Sequence, residues 1–338
     1  MILAPYTTLG LGGPARDFVE AASAEELVSF VAQADRDKVP LLILGGGSNL
    51  VISDAGFDGQ VVRVAGKGIS CERDGDQVVV TVEAGEDWDP LVERAVAEGW
   101  AGIESMSGIP GQVGSTPIQN VGAYGQMVAE TIRSVRVYDR RTCQVVDLGA
   151  RQCGFAYRDS VFKQDLGRYV VLGVTYALTI SDISGELTYD ELIRRLGASK
   201  APLKDVRDAV LEIRRGKGMV LDPADPDTRS AGSFFTNPVL YGEAIAALES
   251  RSPGHPRWDL PDGGIKVPAA WLIEQAGFTK GYTRGPVRIS TKHTLALTNP
   301  GDGTTSDLLT LAREVRDGVQ EKFGVTLVNE PVLIGCQL

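Results

Sequence analysis

The first 66 residues change from a helical to a strand-like spacing of apolar positions. Four apolar residues within 23–37 fall on one helical face: Leu27, Phe30, Val31 and Ala34. Ser23 stands three positions before Glu26, which is the spacing of a capping box at the start of a helix. The apolar run that follows ends at three glycines, in LLILGGGSNLVIS at 41–53. This pattern predicts a helix followed by a short buried strand, the opening of a βαβ-like unit.

From residue 67 to about residue 180 the chain is rich in β-branched and aromatic residues, which is typical of strands. The pattern predicts strands at 77–85, 133–139, 143–148 and 168–178, with a helix at 87–100. A long run at 102–125, GIESMSGIPGQVGSTPIQNVGAYG, is rich in glycine and poor in strand signals. Loops of that length are usually functional or disordered. The apolar and aromatic residues in this one favour a functional loop.

The last part of the chain begins with a predicted helix at 202–218, with Val206, Val210 and Ile213 facing inward. A connector rich in Pro and Asp follows at 221–227. A final helix is predicted at 304–323, and the residues that it should bury are Leu308, Leu311, Ala312, Val315, Val319 and Phe323. A strand is predicted at 325–336. Trp271 and Ile273 are expected in the core of this region.

Composition and charge narrow the class of protein. The 338 residues are 43% hydrophobic and 23% charged, as in an ordinary soluble globular chain of two or three domains. A net charge of −10 argues against a general nucleic-acid binder, though not against a small anionic ligand. Four widely spaced cysteines and two histidines offer little for a disulfide framework, a zinc site or a Ser-His-Asp triad. Without a signal peptide or an apolar span of about 20 residues, a cytoplasmic protein is expected.

The glycines at 45–47 raise the question of what must approach the backbone so closely. GGGSN matches neither the G-x-G-x-x-G dinucleotide pattern nor a P-loop. Bare amides followed by Ser48 and Asn49 can form a concave anion nest, and a tight turn between two strands explains the fragment equally well. The glycine-rich run at 102–125 brings further amides and hydroxyls. Two such segments favour one extended dinucleotide bound between them.

Four motifs then stand in one order along the chain: LGGGSNLV, SGIPGQVGSTPIQNVGAYG, FAYRDSVFK and AGSFFTNP. Together they resemble the UDP-N-acetylenolpyruvoylglucosamine reductase (MurB) family, over nearly the whole chain. The resemblance implies an α+β protein, with a two-subdomain FAD-binding fold of the vanillyl-alcohol-oxidase (PCMH) type and a C-terminal α+β substrate-binding domain. The implied divisions are FAD-binding subdomain 1 at 1–66, joined by a C-terminal strand at 325–338, FAD-binding subdomain 2 at 67–215, and the substrate-binding domain at 216–324.

The resemblance also implies a reaction. Members of the family reduce UDP-N-acetylglucosamine enolpyruvate to UDP-N-acetylmuramate with NADPH and FAD, a step of peptidoglycan precursor synthesis. No histidine or cysteine lies in the two glycine-rich segments, so noncovalent FAD is expected, in a protein expected to be a monomer. The implied FAD-binding residues are Gly45, Gly46, Gly47, Ser48, Asn49, Ser107, Gly108, Pro110, Gly114, Ser115, Asn120 and Gly122.

Three residues match the catalytic positions of the family: Arg158, Ser233 and Glu330. The resemblance implies that Arg158 and Glu330 stabilise an enolate and that Ser233 donates the proton. A guanidinium can hold a carboxylate or enolate through two parallel hydrogen bonds. Without the resemblance, each residue has a plainer explanation: a salt bridge for Arg158, a turn or cap for Ser233, and a structural pairing for Glu330. The chain departs from the family where many members carry a basic residue two positions after the glutamate, because Pro331 and Val332 follow here.

Five further residues match positions that contact the UDP-sugar in the family: Tyr189, Lys217, Asn237, Lys266 and His293. Tyr189 in LTYDEL suggests the branch with a tyrosine lid loop. A tyrosine that packs on a neighbour at the start of a helix is an equally good explanation. Exposed lysines are common, so the lysine assignments depend on the resemblance.

Two other functions compete with the reductase. An alcohol or lactone oxidase of the same flavoprotein fold would often tether FAD through His or Cys near the pyrophosphate loops, where this chain has neither. A nucleotide-binding protein without chemistry would not need Arg158, Ser233 and Glu330 together. A purified protein that is colourless and stays so with added FAD would exclude both flavoenzyme functions.

Overall fold

A computed structural model describes all residues, 1–338. It contains eight α-helices: α1 Ala24–Arg36, α2 Trp88–Ala97, α3 Val161–Gln164, α4 Asp190–Leu196, α5 Leu203–Gly216, α6 Glu243–Arg251, α7 Ala269–Gln275 and α8 Thr305–Phe323. None of the helices has the length and apolar character that a membrane crossing requires.

Short β-strands make up most of the remaining regular structure. They are β1 Ala15–Ala21, β2 Leu41–Leu44, β3 Leu50–Ile52, β4 Phe57–Val64, β5 Ile69–Asp74, β6 Gln77–Glu83, β7 Trp100–Ala101, β8 Gly122–Ala123, β9 Gln126–Met127, β10 Ile132–Asp139, β11 Gln144–Gly149, β12 Tyr169–Ile180, β13 Ser230–Ser233, β14 Val239–Leu240, β15 Trp258–Asp259, β16 Ile265–Lys266, β17 Thr283–Arg284, β18 Val287–Ile289, β19 Ala296–Thr298 and β20 Val332–Ile334. Together with the helices they make an α+β protein.

The chain forms two compact units, and each is built from separate stretches of sequence. The large-sheet unit comprises 15–46 and 58–215, and the C-terminal unit comprises 1–14, 47–57 and 216–338. The three-part division into 1–66, 67–215 and 216–324 stays a prediction.

The large-sheet unit contains a three-stranded sheet in the order β1-β4-β2 and an antiparallel sheet in the order β11-β10-β12-β6-β5, in which β7 also pairs with β12. Strands β2 and β4 run parallel, and helix α1 lies in the chain between β1 and β2, the two outer strands of this sheet. One hydrophobic core joins both sheets with helices α1 and α2. A second, small core lies around α5 and the segment that contains Tyr189, which we call the Tyr189 segment and define as 187–201; its members are Leu187, Leu192, Ala201, Val206, Ala209, Val210 and Ile213.

The C-terminal unit has a four-stranded sheet in the order β13-β19-β18-β17 and a small sheet in the order β14-β16-β15. Helix α8 supplies the centre of its core, because all six of the residues predicted to be buried are at most 2% exposed. Ile273 is also in this core, and Trp271 packs against it. Strand β20 pairs in parallel with β3, far away in the sequence.

The capping box predicted for α1 is present, and it explains where the helix begins. Ser23 accepts a hydrogen bond from the Glu26 N–H, and the Glu26 carboxylate accepts one from the Ala22 N–H. The strand predicted at 325–336 was wrong in length, since only Val332–Ile334 forms a strand. Pro331 has no N–H to donate to a ladder, which limits regular pairing on its N-terminal side.

Candidate functional site

The first two glycines of GGGSN follow directly after β2 and pack against the second glycine-rich segment. A Cβ atom on Gly45 would lie 2.9 Å from Ser115 Oγ, and one on Gly46 would lie 2.8 Å from Gly111 Cα. Such distances are shorter than real Cβ contacts allow, so a side chain at Gly46 would push the two segments apart, and one at Gly45 would displace the Ser115 hydroxyl. The glycines were predicted to make room for a ligand. In the structure, the Gly111 backbone and the Ser115 side chain lie in contact with them as well.

Gly47 is required for a different reason, within the C-terminal unit. Its φ is +61°, a left-handed conformation that favours glycine, and a Cβ would lie 1.9 Å from the carbonyl oxygen of Tyr6. Ser48 and Asn49 follow, both half-buried. The Asn49 amide Nδ2 donates to the Glu330 carbonyl at 3.5 Å, and its own carbonyl accepts from the Val332 N–H at 2.9 Å. The predicted cofactor residue Asn49 thus lies beside the predicted catalytic residue Glu330.

In the second glycine-rich segment, several predicted FAD contacts are already bonded to the protein. The Ser107 hydroxyl donates to the Glu104 carbonyl at 2.7 Å and is fully buried. Gly114 packs on Ala84, with 2.6 Å between an added Cβ and the Ala84 Cβ. Pro110 is half-buried, and its side chain offers no hydrogen bond. These contacts fix the shape of the segment, and the Ser107 hydroxyl has already used its one donor.

Two buried polar atoms in this segment, Ser105 Oγ and Gln112 Oε1, have no hydrogen-bond partner in the protein. The Gln112 side chain donates from Nε2 to the Val64 carbonyl at 3.1 Å, while its Oε1 is buried and accepts nothing. Oε1 lies on the Gly45 side, 3.2 Å from where a Gly45 Cβ would be. An unsatisfied buried acceptor costs about 1–3 kcal/mol, so it suggests a donor that is supplied by a ligand. FAD carries hydroxyl and amino donors, so the residues present fit it.

Arg158 occupies a strained turn that the sequence did not reveal. Ala156 and Asp159 exchange backbone hydrogen bonds at 3.0 and 3.2 Å, and between them Arg158 has a φ of +53°. A left-handed conformation costs a residue with a side chain about 1–2 kcal/mol. Such outliers cluster where the surrounding structure holds them for function.

The same contacts bring three of the predicted site residues together. The Arg158 guanidinium donates to the Gly122 carbonyl at 2.8 Å and to the Asn120 carbonyl at 3.5 Å. Asn120, itself at a φ of +48°, returns a hydrogen bond from Nδ2 to the Ala156 carbonyl at 3.0 Å. The Asn120 amide oxygen accepts from the Ala129 N–H. The turn that carries Arg158 and the segment around Gly122 therefore hold each other in place.

Ser233 and Glu330 are neighbours in the C-terminal unit. Strand β13 contains a bulge, because Ser230 pairs with Thr298 while Ser233 pairs with Ala296, and Gly232 in the bulge has a φ of +73°. A bulge re-aims the side chain that follows it and is common beside active sites. The Glu330 N–H donates to the Phe234 carbonyl at 2.9 Å. Ser233 and Glu330 are both half-buried, so a ligand can reach them.

The residues predicted to contact the substrate are spread over both units. In the C-terminal unit, the Asn237 Oδ1 accepts from the Ala269 N–H at 2.9 Å, so this amide oxygen caps the N-terminus of helix α7. The Lys266 ammonium lies 5.2 Å from the centre of the Trp258 ring. Lys217 and His293 are half-buried, and the His293 N–H donates to the Ser290 hydroxyl at 3.2 Å.

Tyr189 lies in the large-sheet unit, immediately before α4, and is 38% exposed. Its ring meets the edge of the Tyr124 ring, with 5.1 Å between ring centres. Both explanations offered for Tyr189 are compatible with this position, because the side chain packs on a neighbour and still has an exposed surface. Tyr124 was not among the predicted site residues; its φ of +50° makes it a third residue, after Arg158 and Asn120, in a left-handed conformation.

Comparison with known proteins defines the class of the chain. Residues 15–149 match the model of an FAD-binding domain, and residues 223–334 match the model of the UDP-N-acetylenolpyruvoylglucosamine reductase C-terminal domain. The protein is therefore an FAD-containing oxidoreductase, and the predicted α+β fold class is confirmed.

Relatives over the full length define the family. The chain is 57% identical to the UDP-N-acetylenolpyruvoylglucosamine reductase of Thermobifida fusca, over 99% of this chain and 97% of the relative. It is 52% identical to the Streptomyces coelicolor reductase of the same name, over 99% and 90%. The crystal structure of the Thermus caldophilus enzyme superposes with a TM-score of 0.68 at 26% identity, covering 99% and 97% of the two chains. The chain belongs to the UDP-N-acetylenolpyruvoylglucosamine reductase family.

Proposed function

We propose that this protein reduces UDP-N-acetylglucosamine enolpyruvate to UDP-N-acetylmuramate with electrons from NADPH, for peptidoglycan precursor synthesis. The proposal is carried by the proximity of Ser233 and Glu330: Ser233 follows a bulge in β13, and the Glu330 N–H donates to the carbonyl of Phe234, the residue after Ser233. Bound FAD supplies hydride transfer between NADPH and the enolpyruvyl double bond. We also propose that the protein is cytoplasmic, where NADPH is supplied, and that it is a monomer.

Arg158 is proposed to hold the negative charge that develops next to the substrate carboxylate. Its guanidinium is oriented by the carbonyls of Gly122 and Asn120. A guanidinium can hold a carboxylate or enolate oxygen through two parallel hydrogen bonds. A charge that is oriented in advance stabilises a developing anion without a reorganisation cost at the moment of reaction.

Ser233 is proposed to donate the proton that completes the reduction. A serine hydroxyl is a poor acid in water, so its alkoxide must be stabilised where it forms. Glu330 lies on the adjacent segment and is proposed to orient the substrate and to stabilise the enolate with Arg158. Many members carry a basic residue two positions after the glutamate, where this chain has Val332, so position 332 does not supply a basic contact here.

Five residues are proposed to bind the UDP-sugar. Lys217 and Lys266 provide positive charge for the diphosphate, and Asn237 and His293 provide hydrogen bonds. Asn237 is proposed to bind the substrate through its amide nitrogen, since its amide oxygen already caps helix α7. Tyr189 is proposed to cover the bound substrate with its exposed face.

The test separates the two half-reactions. Purified protein is mixed with NADPH without oxygen, the flavin absorption is followed, and UDP-N-acetylglucosamine enolpyruvate is then added. Bleaching followed by prompt recovery of the flavin absorption is the expected result. Bleaching without recovery would contradict the proposed substrate. A protein that holds no flavin, even with added FAD, would contradict the whole proposal.

A further inference from the structure

The backbone of Gly108, in the second glycine-rich segment, is held by two charged side chains, the half-buried Asp89 and the buried Arg214. The Gly108 N–H donates to Asp89 Oδ1 at 2.6 Å, and the Gly108 carbonyl accepts from Arg214 Nη2 at 3.2 Å. Gly108 has a φ of +72°, which a residue with a side chain would adopt only at a cost. Asp89 is the second residue of α2, and Arg214 is near the end of α5.

The Asp89 carboxylate is held in turn by a second arginine of α5. Arg207 donates from Nη1 and Nη2 to the two carboxylate oxygens at 2.6 and 3.0 Å, a bidentate pair. The side chain of Arg207 is 10% exposed, and that of Asp89 is 33% exposed. Burial alone would raise the pKa of Asp89, but its hydrogen bonds to Arg207 and Gly108 hold the pKa below its usual value. The carboxylate is therefore ionised at neutral pH.

Helix α2 is also tied to the same segment by bonds that do not involve charge. The Trp88 indole N–H donates to the Met106 carbonyl at 3.0 Å, and the Trp88 backbone N–H donates to the Gly111 carbonyl at 3.0 Å. Residues 106–111 thus follow the first turn of α2. Arg207 sets the position of Asp89 on that turn, and through it the position of Gly108.

Helix α5 connects this arrangement with the Tyr189 segment. Its apolar residues Val206, Val210 and Ile213 pack with Leu187 and Leu192 in the small core that is separate from the main core. Arg207 and Arg214 lie on the same helix. Arg207 donates to the Asp89 carboxylate, and Arg214 donates to the Gly108 carbonyl. A change in the order of α5 therefore reaches Gly108 through two buried arginines.

We propose that Arg207 is a positioning residue, which acts through Asp89 to hold residues 106–111 in their FAD-binding conformation and thereby links FAD binding to the order of residues 187–216. This inference depends on the FAD site of the proposed function but not on the substrate or on NADPH. Because such coupling is reciprocal, FAD stabilises residues 187–216 to the same extent as their order stabilises bound FAD.

The test compares two arginines that are matched in chemistry. Arg207→Lys keeps the charge but loses the bidentate geometry. Arg140→Lys makes the same change at Arg140, whose guanidinium also binds both carboxylate oxygens of Asp35, in the same unit and without a bond to residues 106–111. The rate of FAD release from each full-length holoenzyme is measured by flavin fluorescence after dilution. Urea unfolding measures the stability of each variant.

Arg207→Lys should release FAD about 10-fold faster or more, because affinity changes of this kind appear mainly in the release rate. Arg140→Lys should release FAD at the rate of the unchanged protein, whatever stability it loses. In the unchanged protein, hydrogen exchange should show residues 187–216 more protected with FAD than without it. That difference should shrink in Arg207→Lys.

Equal release rates for both variants and the unchanged protein would overturn the inference, and so would exchange in residues 187–216 that ignores FAD. If Arg207→Lys does not fold, Asp89→Asn replaces it, since the amide oxygen can still accept from Gly108 while the charge for Arg207 is lost; release at the unchanged rate would then overturn the inference. A wild-type protein that takes up no FAD would refute the proposed FAD site itself. A protein that binds FAD but does not reduce the enolpyruvyl substrate leaves this test intact.

Discussion

Replacing Gly46 by alanine would change the contact between the two glycine-rich segments by a single methyl group. The new Cβ would lie 2.8 Å from the Gly111 Cα and 3.2 Å from the Gly111 carbonyl carbon. Both neighbours are backbone atoms, so no side-chain rotation can make room. Favourable carbon contacts lie at about 3.5–4.0 Å, so the two segments must separate by about 0.7 Å or more.

The size of the effect follows from that displacement. Overpacking by one methyl group typically costs about 1–3 kcal/mol. Loss of a glycine stiffens the unfolded chain and returns about 0.4–1 kcal/mol. We expect a net loss of about 1–2 kcal/mol in the free energy of unfolding. FAD binding between displaced segments should weaken about 10-fold, which corresponds to about 1.4 kcal/mol.

Urea unfolding of the flavin-free protein and titration with FAD measure the two quantities separately. Gly185→Ala is the matched control, because Gly185 has no atom within 4 Å of an added Cβ and no left-handed φ. Gly45→Ala should be intermediate, since the contacted Ser115 hydroxyl can rotate away. If Gly46→Ala matches Gly185→Ala in both the free energy of unfolding and the FAD affinity, the expected separation of the two segments is refuted.

Three further changes test the site and the core. Ser233→Ala should leave bleaching of the flavin by NADPH unchanged and slow transfer to the enolpyruvyl substrate by about 100-fold or more, measured as half-reactions; equal slowing of both would contradict a proton-donor role. Arg158→Gly should abolish reduction of the substrate, and a variant that still reduces it would contradict the charge role. Its free energy of unfolding should change by less than about 1 kcal/mol, because relief of the left-handed strain offsets the lost hydrogen bonds to the carbonyls. Burial raises the pKa of Cys153 to about 11 from 9.0. The folded state therefore loses stability as the pH rises from about 9 towards 11, and Cys153→Ala should remove up to about 2 kcal/mol of that loss in urea unfolding at high pH; parallel curves for the two proteins would contradict it.

The helices could be predicted from the sequence because their signals are local. The capping pair of Ser23 and Glu26 and the apolar face of α8 depend only on residues within a few positions of each other. The β-branched runs predicted the long antiparallel strands for the same reason. The last strand was predicted too long, because its pairing depends on β3, which the local pattern does not show.

The resemblance supplied the candidate site residues, but the sequence did not indicate how they are held. Asp89 and Arg207 are 118 positions apart, and each reads as an ordinary polar residue on a helix. The turn at Arg158 could not be predicted either, because arginine is not a residue that favours a left-handed φ. The glycines at 45–47 stand out in the sequence. Their neighbours in the structure could not be predicted, because Tyr6, Gly111 and Ser115 belong to distant parts of the chain.

The C-terminal unit is assembled from stretches that leave the ribosome at very different times. Residues 1–14 and 47–57 belong to it, yet most of its core is in residues 216–338. The large-sheet unit has been synthesised completely at residue 215, so it can fold first. Three leucines that are buried in the folded protein, Leu3, Leu9 and Leu11, stay exposed to solvent for on the order of 10 s while the rest of the chain is translated. Strand β3 waits for β20 over the same time. A nascent chain with exposed leucines and an unpaired strand is a natural client for chaperones that act at the ribosome.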